Sequence, residues 1–160
     1  MTSTWIHLYL PGRPGYVLSS TFPAKSGDCA ANHRDRLTTD GAFRPKVLVL
    51  DDERIIADSL AMILNRSGFE AVAHYDGVSA IEFIHRECPD ILLSDVVMPH
   101  IDGLQVADKA RAHCPRTRIV LISGNAATPH LLEQASLDGQ PFEVLAKPIH
   151  PTQLLAILRG

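Results

Sequence analysis

Five short apolar runs, most of them closing on a charged or hydroxyl side chain, constrain this chain more than anything else in it. Val47-Leu48-Val49-Leu50 closes on Asp51-Asp52, Ile91-Leu92-Leu93-Ser94 on Asp95, Ile119-Val120-Leu121-Ile122 on Ser123, and the run from Phe142 to Ala146 on Lys147. Ala71-Val72-Ala73-His74-Tyr75 is the remaining run. Continuous apolar stretches of this length suit strands buried on both faces, which is the habit of a parallel sheet. Helical spacing fills the gaps. Ile55, Ile56, Leu60, Ile63 and Leu64 mark one helix, with Gly68 as its stop signal. Val78, Ile81, Phe83 and Ile84 mark a second, opened by Asp76 or Ser79; Leu104, Val106, Ala107 and Ala110 mark a third. A short fourth is expected over His130 to Ala135, and Pro151 opens a last one through Leu154, Leu155, Ile157 and Leu158. Strands alternating with helices imply an α/β domain, with helices on both faces of a parallel sheet.

This pattern begins only at about residue 45. The stretch 1–44 holds Pro11, Pro14 and Pro23 with several glycines, and no apolar period persists there. It is expected to be a disordered extension, with the folded domain over residues 45–160. The first 45 residues carry five basic and three acidic side chains, which leaves 10 basic and 15 acidic for the rest. An acidic domain lacks the footprint of a nucleic-acid binder, so no direct DNA binding is expected. The apolar stretch from Trp5 to Leu10 stops at Pro11 without a basic start, so it is a poor signal peptide, and no run is long enough to cross a membrane. Three cysteines, Cys29, Cys88 and Cys114, form no CxxC pair. They suggest no disulfide framework and a reducing, cytoplasmic setting, with Cys88 and Cys114 reading as ordinary thiols near helix ends. The histidines show no paired metal-ligand spacing.

In open α/β sheets, ligands bind at the carboxyl ends of the strands, where the strand order reverses. With a strand order of 2-1-3-4-5, Asp51, Asp52, Asp95 and Ser123 lie on adjacent strands and Lys147 beside them. Three carboxylates crowded together call for a cation, and their hard oxygens favour Mg²⁺. One carboxylate can attack a phosphoryl group and form an acyl phosphate. Lys147 offers a positive charge, and Ser123 a hydroxyl, to the phosphoryl oxygens. Each residue taken singly has a plainer reading. Asp51 and Asp52 can cap the first helix, Asp95 and Ser123 can serve a turn, and Lys147 can be an exposed lysine.

Several motifs together resemble one known family. The run Val47 to Glu53 is similar to the first strand and acidic pair of response-regulator receiver domains. Asp95-Val96-Val97-Met98-Pro99-His100-Ile101-Asp102-Gly103 resembles their D-x-x-M-P-x-x-D-G phosphorylation loop. Ile122-Ser123-Gly124 resembles the switch position, and Ala146-Lys147-Pro148 the K-P motif. The resemblance implies a flavodoxin-like (βα)5 fold with a five-stranded parallel sheet in the order 2-1-3-4-5. It implies that Asp95 is the phosphoacceptor. It also implies that Asp51, Asp52, Asp95 and the Val97 backbone carbonyl hold Mg²⁺, with Asp51 acting mainly through a metal-bound water. Ser123 and Lys147 would hold the phosphoryl oxygens.

The function so implied is that of a stand-alone response regulator in a two-component phosphorelay. It would take its phosphoryl group from a sensor histidine kinase or a phosphotransfer protein and signal to a downstream protein. It would not be an enzyme with an external substrate. Receivers carry Tyr or Phe three residues before the lysine; Val144 stands there, with Phe142 two residues earlier. An alternative reading is a pseudo-receiver that binds partners without phosphorylation. A third, an aspartyl-phosphate hydrolase, lacks the expected D-x-D after the first strand.

Overall fold

The computed structural model describes residues 43–124 and 142–160. Among the described residues the elements run, in chain order, β1 (Lys46–Leu50), α1 (Arg54–Arg66), β2 (Glu70–His74), α2 (Gly77–Arg86), β3 (Ile91–Asp95), α3 (Gly103–His113), β4 (Arg118–Ser123), β5 (Glu143–Ala146) and α4 (Pro151–Arg159). The strands form one parallel sheet in the order β2-β1-β3-β4-β5, as the resemblance implied. The helix expected over 130–135 and nearly all of the extension expected over 1–44 lie outside the described residues.

Strand side chains alternate between two faces. Val47, Val49, Ile91 and Leu93 point to one side and pack with Ala57, Ala61 and Leu64 of α1 and Leu154 and Leu158 of α4. Leu48, Leu50 and Leu92 point to the other and pack with Ala80, Phe83 and Ile84 of α2 and Val106 and Ala110 of α3. Burial on both faces is why the strands read as unbroken apolar runs. Each fully buried Leu or Ile contributes roughly 1.5 to 3 kcal/mol.

Local signals set the helix ends. Asp76 caps α2 by accepting from the Ser79 amide, and Asp102 caps α3 by accepting from the Gln105 amide. Beyond α1, Gly68 takes a φ of 93° and the Phe69 amide bonds back to the Leu64 carbonyl, closing the helix as its glycine foretold. Among the described residues, no helix is long and apolar enough to cross a membrane.

One expectation is overturned. Cys88 and Cys114 are not separate thiols; they form a disulfide with Cα atoms 5.6 Å apart. Cys88 follows the end of α2 and Cys114 is the C-cap of α3, and the packing of these helices side by side brings the pair together. Spacing along the chain, 26 residues, holds no trace of that approach. The reading of a reducing environment from these cysteines loses its basis with it.

Candidate functional site

The carboxyl ends of β1, β3, β4 and β5 form one edge, and the polar residues that close them meet there. Asp51 follows β1, Asp95 ends β3, Ser123 ends β4 and Lys147 follows β5. The register places Asp95 beside Ile122 and Ser123 beside Ala146, so the ends are level.

Asp51, Asp52 and Asp95 converge, with one carboxylate oxygen from each lying within 4.8 Å of the others. Asp51 and Asp95 are buried, whereas Asp52 is exposed. The Lys147 ammonium spans the two buried carboxylates, donating to Asp51 Oδ2 at 2.9 Å and to Asp95 Oδ2 at 2.8 Å. Burial pulls its pKa down, but the hydrogen bonds and charges of Asp95 and Asp51 outweigh that and raise it above the usual lysine value. The ammonium is therefore held charged. Three carboxylates and one ammonium leave two formal negative charges on oxygen donors. That set suits a hard divalent cation such as Mg²⁺.

The capping reading of the acidic pair does not hold. Glu53 occupies the N-cap of α1 and makes no side-chain cap bond. Asp51 Oδ1 instead accepts from the Glu53 amide, which turns its other oxygen toward Lys147. The Val97 amide lies 3.4 Å from Asp95 Oδ1, so the start of the loop wraps the Asp95 carboxylate. The Val97 side chain is exposed. Ser123 is buried at its strand end, and its carbonyl accepts from the Lys147 amide at 2.7 Å. That bond sets where the lysine leaves β5. The Lys147-Pro148 peptide is cis, one of the two forms its proline allows. Val144 and Phe142 pack against the buried cluster of Val96, Ala107 and Leu121, and Arg111 stacks over the Phe142 ring at 3.9 Å.

Two residues at the site carried little signal of their own. Ser94 is fully buried and its hydroxyl donates to the Asp95 carbonyl at 2.9 Å. Gly103 opens α3 directly against that same carbonyl: a Cβ there would sit 1.9 Å from it and 2.7 Å from Ser94 Oγ. The Asp-Gly pair at 102–103 was the one clue. The loop between Asp95 and α3 also contains His100 at φ 65°, a left-handed conformation that suits few side chains.

Comparison with known proteins agrees with this geometry. The family model of the response regulator receiver domain matches residues 47–159. The response regulator MprA of Mycobacterium ulcerans is 33% identical over 115 residues, covering 72% of this chain and 49% of that protein. The chain thus spans about half the length of the curated relatives it matches. A response regulator receiver protein from Sinorhizobium medicae superposes with a TM-score of 0.63 at 33% identity, covering 72% of this chain and 92% of that one. A CheY-like receiver from Methanospirillum hungatei gives a TM-score of 0.66 at 24% identity, covering 72% and 91%, and speaks for the fold alone.

Proposed function

The chain belongs to the response regulator receiver family, and from that premise we propose that Asp95 accepts a phosphoryl group and that the domain works as a phosphorylation switch. The observation that carries this reading is the convergence of three carboxylates around an ammonium that bridges two of them. Asp95 is the carboxylate at the centre of the sheet edge, on the strand between β1 and β4.

In this reading an Asp95 carboxylate oxygen attacks the phosphorus of a phosphohistidine on a sensor kinase or phosphotransfer protein. The phosphorus–nitrogen bond breaks, its electron pair returns to the imidazole, and an acyl phosphate forms. Asp51, Asp52, Asp95 and the Val97 carbonyl would hold Mg²⁺, which would supply neutralisation of charge as the phosphoryl group transfers. Asp51 would act mainly through a water on that ion. Lys147 then exchanges its bond to Asp95 Oδ2 for one to a phosphoryl oxygen, and Ser123 donates its hydroxyl to another. The rearranged β4 and β5 ends carry the change to the surface. Val144 replaces the usual aromatic on β5, so the surface change would run through a smaller side chain.

The domain is a phosphoacceptor and turns over no external substrate. Its setting would be cytoplasmic. Residues 46–160 carry 10 basic against 15 acidic side chains, which favours a protein target over nucleic acid for this domain.

The test is incubation with acetyl phosphate and Mg²⁺ followed by intact mass measurement. A gain of about 80 Da on the wild type, absent from Asp95→Asn and abolished by a chelator, is the expected result. No gain on the wild type, or an equal gain on Asp95→Asn, overturns the reading.

A further inference from the structure

The C-terminal ends of α2 and α3 meet far from Asp95, and the acceptor chemistry leaves them unused. The Cys88–Cys114 bond joins these ends across 26 residues. Cys114 is buried, whereas Cys88 is half-buried and is the side from which a solvent reagent arrives. The last turn of α2 carries His85 and Arg86, and that of α3 carries Arg111 and His113. The two histidine rings meet edge to face with centroids 4.8 Å apart.

The other ends of the same two helices hold the loop that follows Asp95. Gly77, the first residue of α2, packs so closely on Ile101 of that loop that a Cβ would lie 2.6 Å from the Ile101 Cβ. Gly103, the first residue of α3, lies against the Asp95 carbonyl, and its amide donates to the Val96 carbonyl at 3.0 Å. The helices thus touch the acceptor loop at one end and share a covalent bond at the other.

We infer that Cys88 and Cys114 form a second, redox-active site, opened and closed by dithiol–disulfide exchange, whose state sets how firmly α2 and α3 hold the Asp95 loop. A disulfide within reach of solvent is ordinarily of the labile, regulatory kind, and Cys88 is half-buried rather than enclosed. The opening chemistry balances with a dithiol as reductant. A thiolate attacks Cys88 Sγ, the bond to Cys114 Sγ breaks, and the electron pair and a proton go to Cys114. The second thiol of the reagent then displaces Cys88 as a thiol, and the reagent leaves as its own disulfide. An oxidised dithiol drives the reverse.

The experiment uses the full chain with Cys29→Ser, so that one cysteine pair is read. The protein is equilibrated with mixtures of reduced and oxidised dithiothreitol, trapped by alkylation and weighed. Its amide hydrogen exchange is then compared in the two states, without any phosphoryl donor. A reversible change between the alkylated dithiol and the unmodified disulfide is expected. Exchange should be roughly tenfold faster on reduction in residues 96–103 and at the ends of α2 and α3, with β1 and β3 unchanged. Cys88→Ser in the same background should match the reduced pattern in both buffers. Free thiols under every oxidising mixture overturn the inference, as does loop exchange that ignores redox state. Acceleration throughout the sheet on reduction also overturns it, because the bond would then be a staple of the fold. With no donor present, a failure of Asp95 to accept phosphate leaves these readouts untouched.

Discussion

Gly103→Ala should damage both stability and Asp95 chemistry, through space alone. Gly103 has no left-handed backbone that would itself require glycine. What it lacks is room: the added Cβ would lie 1.9 Å from the Asp95 carbonyl oxygen and 2.9 Å from its carbon. Neither side yields easily. The Gly103 amide is bonded to the Val96 carbonyl, α3 is capped by Asp102, and Asp95 is paired with Ile122 in the sheet. Relieving the contact needs a shift of roughly 1 Å, and overpacking of this kind costs about 3 kcal/mol. With an ordinary urea dependence, the unfolding midpoint should fall by about 1 to 2 M with little change in slope. The same shift moves the acceptor, and a misplacement of about 1 Å can cost roughly 100-fold in rate. The assay is urea unfolding alongside the rate of acetyl-phosphate labelling. Gly68→Ala is the control, since its φ of 93° makes alanine strained while nothing lies within 4 Å. It should cost about 1 kcal/mol and leave labelling intact. Gly103→Ala within about 0.5 kcal/mol of wild type, with normal labelling, would refute the steric argument.

Other predictions follow from single residues. His100→Gly should relieve the φ of 65° and raise stability by about 0.5 to 1 kcal/mol in urea unfolding. Lys147→Met should slow labelling and cost about 1 to 2 kcal/mol, after allowing for the part-exposure of the ammonium. Because burial lowers the Lys147 pKa less than Asp95 and Asp51 raise it, its contribution is full below about pH 10.4 and fades as pH climbs through the folded value. The methionine variant should therefore show a flatter alkaline limb in a stability–pH profile. Burial, offset partly by Asp76 and assisted by Arg86, lowers the His74 pKa; burial, His113 and Lys109 lower that of His85. The unfolded chain then binds protons that the folded one resists, so stability should fall as pH drops below about 6.5. Replacing both histidines with glutamine should lessen that fall in thermal unfolding followed from pH 7 to 5.

Much of this was legible in the sequence because the same residues serve packing and position. Val47 to Leu50 and Ile91 to Leu93 are apolar without interruption because both sheet faces are covered, and that is a local signal. Asp51, Asp95, Ser123 and Lys147 could be placed at one edge because parallel strands all point the same way, so a polar residue closing each run arrives at the same end. Contacts made across elements were not legible. The Cys88–Cys114 bond depends on how α2 and α3 lie against each other, and no spacing encodes that. Ser94 looked like the last residue of a strand, yet its hydroxyl holds the Asp95 carbonyl. Taken singly, Asp51 could equally have capped α1, and it is Glu53 that holds that place. A cap and a site carboxylate share the same residue type, and only the direction of the side chain separates them.

The acceptor assignment is tested most directly by locating the acyl phosphate. Protein labelled with acetyl phosphate and Mg²⁺ is reduced with borohydride, which converts an aspartyl phosphate to homoserine, and its peptides are sequenced by mass spectrometry. Homoserine at position 95, in the wild type and at no other aspartate, is the predicted result. Homoserine at position 51, 52 or 102 with an intact Asp95, or none in labelled protein, would contradict the account.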